Sequence, residues 1–138
     1  MIGLDTGFFF RLLAGTSHAV EAWAPIVSGE RSAAVSCITL YELEKAALRG
    51  ALRRNQVDVL LDEIPILCHL AWLADASHVH RAARLAHGNG LGMADALILT
   101  SLRDANAETV YTTDSDFERY DGPMTIVVLP PPTRSASR

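Results

Sequence analysis

The sequence is poor in lysine. Lys45 is the only one, and every other cation is arginine. The formal net charge is −4, so nothing in the overall balance attracts a polyanion, and any nucleic-acid contact needs a local basic patch. Arginine suits such a patch because its planar fork grips phosphate with two bonds. There are only two cysteines, Cys37 and Cys68, and no CxxC pair. Both sit in apolar, strand-like runs and read as small buried hydrophobes of a reducing compartment. The longest apolar stretch, Ile64 to Ala74, is interrupted by His69. It falls far short of the ~20 residues that span a bilayer. The first residues, Met1 to Asp5, lack the basic region of a signal peptide, so the cytoplasm is the expected compartment. A GxxxxGK[ST] loop is absent, which excludes a P-loop NTPase.

What is present suits one globular domain. The chain has 138 residues, 49% hydrophobic and 20% charged. Residues 1–129 are expected to form the domain. The tail 130–138, rich in Pro, Ser and Arg, has no apolar period and is expected to be disordered. Strands are predicted at Ile2–Leu4, Ala33–Ile38, Thr109–Thr112 and Thr125–Leu129, with a short extended piece at Ile66–Leu70. Helices are predicted at Thr6–Leu13, His18–Val27, from Thr39 to about Gly50, from Val57 to a stop at Pro65, after Asp75 or Ser77, and at Met93–Arg103. Gly88 to Gly92 reads as a loop. The alternation predicts an α/β fold, a central parallel sheet of about four to five strands flanked by helices on both faces. The first strand would lie centrally.

Acids stand where such folds place their ligands, beyond the carboxyl ends of strands. Asp5 follows the first strand, and Asp114 and Asp116 follow the run Val110-Tyr111-Thr112-Thr113. Each acid alone has a plainer reading. Asp5 suits a helix N-cap. Thr39-x-x-Glu42 matches a capping box. Asp95 lies in the first turn of a helix among Met93, Leu97 and Ile98, with no adjoining cation. Asp114 and Asp116 are two acids where one cap suffices. Four carboxylates in one cleft repel, since two unit charges ~4 Å apart cost about 4 kcal/mol at an effective dielectric near 20. A divalent cation relieves that cost, as does protonation of some of the acids, and ligation by oxygen alone points to Mg²⁺ or Mn²⁺ as the cation.

These segments resemble the PIN-domain ribonucleases, and specifically the VapC toxins of type II toxin–antitoxin pairs. The matching segments are Leu4-Asp5-Thr6, Ser36-x-x-Thr39-x-x-Glu42-Leu43, Gly92-Met93-Ala94-Asp95-Ala96-Leu97-Ile98 and Tyr111-Thr112-x-Asp114-x-Asp116-Phe117. The resemblance implies a Mg²⁺- or Mn²⁺-dependent endoribonuclease that dimerises and is silenced by a VapB-type antitoxin. It makes Asp5, Glu42, Asp95 and Asp114 the catalytic, metal-holding quartet, with Thr112 and Asp116 as auxiliaries. One position departs from it: these proteins often carry Asn or Ser after Thr6, and this chain has Gly7. Substrate RNA would be met by Arg11, Lys45, Arg49, Arg53 and Arg54. A standalone RNA-processing nuclease and a degenerate RNA- or protein-binding module are the alternatives. Receivers and haloacid-dehalogenase-like phosphatases fit less well, because Lys45 is too early for the former and Gly7 replaces the second Asp of the latter. His78, His80 and His87 form no i, i+4 metal pair and are expected to be structural or solvated. Trp23 and Trp72 are expected in the core or a dimer interface.

Overall fold

The computed structural model describes residues 1–132. Five parallel strands form one sheet in the order β3-β2-β1-β4-β5. They are β1 (Ile2–Leu4), β2 (Ala33–Ser36), β3 (His69–Ala71), β4 (Thr109–Thr112) and β5 (Thr125–Val128). Helices α1 (Thr6–Leu13), α2 (Ser17–Val27), α3 (Cys37–Leu48), α4 (Arg54–Leu67), α5 (Ala76–Asn89) and α6 (Met93–Asp104) connect them, with a short 3-10 helix at Ser115–Arg119. The first strand is central, as expected. Its neighbours are β2 and β4, so the connections run outward one way and then return to run outward the other. That reversal opens a crevice beyond the carboxyl ends of β1 and β4, the ligand position of open α/β sheets.

The three inner strands are apolar because both faces are covered. Leu4 and Val35 point into one layer with Phe8, Phe9, Leu43 and Ile64. Ala34 and Val110 point into the other with Leu99, Leu102 and Phe117. Gly3 has no room for more than hydrogen: a Cβ there would stand 2.9 Å from Leu102 Cδ1. Phe8, Phe9 and Trp23 pack edge-on, with the Phe9 and Trp23 ring centroids 5.6 Å apart.

Several boundaries differ from the sequence reading. Strand β2 ends at Ser36, not Ile38, because the Ser36 hydroxyl accepts the Ile38 N–H and caps α3. Helix α3 therefore starts two residues before Thr39, and the capping-box reading of Thr39 and Glu42 fails. Cys37 consequently opens a helix, and Cys68 ends α4; neither lies in a strand. Leu48, at the last position of α3, is 74% exposed. Pro65 does not stop α4, which continues to Leu67; losing one N–H in the last turn leaves the following residues free to stay helical. Ile66 and Leu67 are therefore helical, not extended. Gly88 and Asn89 belong to α5, which ends at the left-handed Gly90. Asp75, not Ser77, is the α5 cap, accepting the His78 N–H. His78 also accepts the Ala74 N–H through Nδ1, which confirms its structural role. Trp72 is 59% exposed and is no core residue. In the expected tail, the Pro130 carbonyl accepts from Arg11 at 2.6 Å. The part of that tail from 133 to 138 lies outside the described residues.

Candidate metal centre

The register explains why the first acid meets its partner. Leu4 pairs with Val35 on one side and Tyr111 on the other, so Asp5 emerges beside Ser36 and Thr112. Asp5 is 4% exposed. Its Oδ1 accepts the Phe8 N–H at 3.0 Å, which caps α1, and its Oδ2 accepts the Thr112 hydroxyl at 2.5 Å. The cap reading therefore holds, and Thr112 orients the second oxygen. The Thr112 hydroxyl also accepts the Asp114 N–H at 3.0 Å, fixing the turn that carries the next acid. Asp114 caps the 3-10 helix by accepting the Asp116 N–H at 2.8 Å.

Glu42 reaches the site through a contact across two helices. The Thr6 hydroxyl donates to Glu42 Oε1 at 2.5 Å and lies 3.0 Å from the Thr39 hydroxyl. Below it, the Ser101 hydroxyl donates to the Ser36 hydroxyl at 2.8 Å, joining α6 to the end of β2. Neither link is visible in local sequence, since the partners are 33 to 65 residues apart.

Asp5, Glu42, Asp95 and Asp114 all line one cleft of about 240 Å³, with Thr6, Gly7 and Thr113 among its other walls. Burial pushes Asp5 up to about 6, against the pull of Thr112 and Phe8, and the charges of Asp95 and Glu42 add to the rise. Asp95 is likewise raised to about 6, by burial and then by the charges of Asp114, Glu42 and Asp116. The acids thus act on one another electrostatically, and Asp116 belongs to the same field from its outer edge.

The donor set is all carboxylate and hydroxyl oxygen, which fits a hard cation such as Mg²⁺ or Mn²⁺. Among the described residues, no three His, Cys, Asp or Glu side chains already form a ready-made ligand set. Glu42 is tethered at the cleft wall by Thr6, and Asp114 accepts its own cap bond from Asp116 N–H.

The five expected RNA-facing cations do not rim the cleft evenly. Arg11 is one helical turn beyond Thr6 and is held by the Pro130 carbonyl. Lys45 stands over the Tyr41 ring at 5.9 Å. Arg49 and Arg53 are exposed at the far end of α3 and the start of α4, and Arg49 lies about 10 Å along the axis from Glu42 at 1.5 Å per residue. Arg54 is held by Glu44 at 2.5 Å and Asp58 at 2.7 Å.

An acidic cleft at the switch point of a five-stranded parallel sheet defines the class: a one-domain α/β protein whose site is built from carboxylates. The PIN domain model matches residues 2–123, and the chain belongs to that family, one of nucleases. Several solved structures share the fold. VapBC2 from Rickettsia felis, bound to a DNA fragment from its promoter, is similar with a TM-score of 0.70 at 19% identity, covering 93% of this chain and 98% of that one. Mycobacterium tuberculosis VapC20, a sarcin-ricin loop cleaving toxin, gives 0.63 at 20% identity over 86% and 93%. VapBC-5 from Mycobacterium tuberculosis gives 0.61 at 24% identity over 93% and 96%. No match was found among curated protein sequences.

Proposed function

We propose that this protein is a divalent-metal-dependent endoribonuclease and the toxin of a VapBC-type pair. One observation carries the reading: four carboxylates from four separate elements line a single cleft, and two of them are strained enough to be raised to about 6. A cluster of that kind wants a cation. Asp5 and Asp95 would hold Mg²⁺ or Mn²⁺ most directly, with Glu42 and Asp114 completing the set. Bound there, the metal supplies an activated water and stabilises charge on phosphorus oxygens.

The residues of the chain do the rest. Thr112 orients Asp5, and Thr6 holds Glu42 at the wall. Asp116 adds negative field. Lys45, Arg49 and Arg53, with Arg11, would draw the RNA backbone over an otherwise repulsive cleft; Arg54, already neutralised by two acids, would add least. Hydrolysis in this manner leaves a 5′-phosphate and a 3′-hydroxyl.

Two of the similar structures, VapBC2 and VapBC-5, are VapBC toxin–antitoxin proteins, which supports a VapB-type partner. An apolar groove between α5 and α6, about 570 Å³ and lined by Val79, Leu91, Met93 and Leu97, supports a homodimer. Among the described residues, no helix is long and apolar enough to cross a membrane. A cytoplasmic toxin is the reading that fits. The test is cleavage of total RNA with Mn²⁺ by the wild type, abolished by EDTA and by Asp95→Asn. Cleavage that survives both would refute it.

A further inference from the structure

Gly7 lies inside α1, and its backbone does not have the positive φ that calls for glycine. A glycine within a helix is destabilising relative to alanine, so its presence needs another cause. The cause is space. A Cβ at position 7 would stand 2.0 Å from Thr113 Oγ1 and 3.2 Å from Thr113 Cβ. The Thr113 side chain occupies the volume that residue 7 leaves empty. The same point is 3.5 Å from Asp5 Oδ1, and both residues line the acidic cleft.

The other hydroxyls there are committed. Thr112 serves Asp5 and Asp114, and Thr6 serves Glu42 and Thr39. Among the described residues the Thr113 hydroxyl enters no hydrogen bond. Ionised carboxylates accept only. A phosphate oxygen entering the cleft therefore finds one uncommitted side-chain hydroxyl to donate to it. We propose that Thr113 is a substrate-contacting residue whose hydroxyl donates to a non-bridging oxygen of the bound RNA phosphate, and that Gly7 exists to seat it.

This inference rests on the nuclease reading, and its test separates the two. Thr113→Val keeps the shape and removes the donor; Thr113→Ser keeps the donor. With Mn²⁺ and total RNA, Thr113→Val is expected to cleave about tenfold more slowly, the scale of one hydrogen bond to a charged group, and Thr113→Ser near the wild-type rate. Gly7→Ser/Thr113→Ala returns a hydroxyl to the same space from the other wall and should exceed Thr113→Ala. Binding is read in parallel, in an Asp95→Asn background, as fluorescence anisotropy of short mixed-sequence single-stranded RNA; Thr113→Val should weaken it. A Thr113→Val protein that cuts and binds like its parent overturns the role of Thr113, as does a double variant no better than Thr113→Ala. If the wild type cuts no RNA, the nuclease reading falls, and equal RNA affinity with and without the hydroxyl overturns this inference separately.

Discussion

The Thr6 hydroxyl donates to Glu42 Oε1 across a gap of 36 residues, tying the first turn of α1 to the second turn of α3. It holds Glu42 at the wall of the cleft that Asp5, Asp95 and Asp114 also line. Thr6→Val keeps the branched shape and removes the tether. Stability should fall by about 1 kcal/mol, the net worth of a typical hydrogen bond. Mn²⁺ affinity should fall at least tenfold, as when an outer partner of a metal ligand is lost. Chemical denaturation and calorimetric titration check both; unchanged Mn²⁺ affinity would remove Thr6 from the site.

Asp5 gives a pH dependence of definite sign. Its folded value of about 6 lies above the unfolded 3.8, so the folded state binds the proton more tightly. The stability this contributes is full below 3.8 and is lost as pH rises through about 6. At 1.36 kcal/mol per unit the loss is up to about 3 kcal/mol. Metal-free wild type should therefore lose more stability from about pH 4 to just above pH 6 than Asp5→Asn does. Asp95 works in the same direction. Excess Mn²⁺ should restore the wild type at neutral pH and leave Asp5→Asn unchanged. Parallel melting curves for the two metal-free proteins across that window would contradict the buried charge.

The cations divide by their partners. Arg54 is neutralised by Glu44 and Asp58, while Arg49 and Arg53 face solvent. Arg49→Ala and Arg53→Ala should each lower the slope of log affinity against log salt by about 0.7–0.9 if they touch phosphate. Arg54→Ala should leave that slope nearly unchanged. RNA binding measured from low to high salt decides between them.

Gly3 is fixed by α6 rather than by its backbone. Gly3→Ala places a methyl 2.9 Å from Leu102 Cδ1 and 3.3 Å from Val110 Cγ2. Overpacking of that kind costs about 1–3 kcal/mol. Gly3→Ala/Leu102→Val should recover part of it, because the crowding atom is shortened. Urea unfolding of the single and double variants provides the measurement.

The sheet was readable because its inner strands are short apolar or β-branched runs followed by helix-capping residues; β1 and β4 fall where Ile2–Leu4 and Thr109–Thr112 predict. Asp5 and Asp114 were readable as candidates because they follow β1 and β4, whereas Glu42 and Asp95 lie within α3 and α6 and drew notice through their spacing and apolar setting. Ser36 hid the start of α3 because a strand-like residue was also its cap, and Thr39-x-x-Glu42 mimicked a cap three residues later. The links from Thr6 to Glu42 and from Ser101 to Ser36 join distant segments, so no local pattern carries them. The seat of Thr113 over Gly7 is likewise a tertiary fact. A glycine with no turn to make was its one trace in the sequence.

The proposed function places a cation among these acids, and locating that cation is the most direct test. Crystals soaked in Mn²⁺ and measured at its absorption edge should show an anomalous peak bounded by Asp5, Glu42, Asp95 and Asp114, lost in Asp95→Asn. A crystal in which Mn²⁺ occupies other sites while this cleft shows no peak would contradict the account.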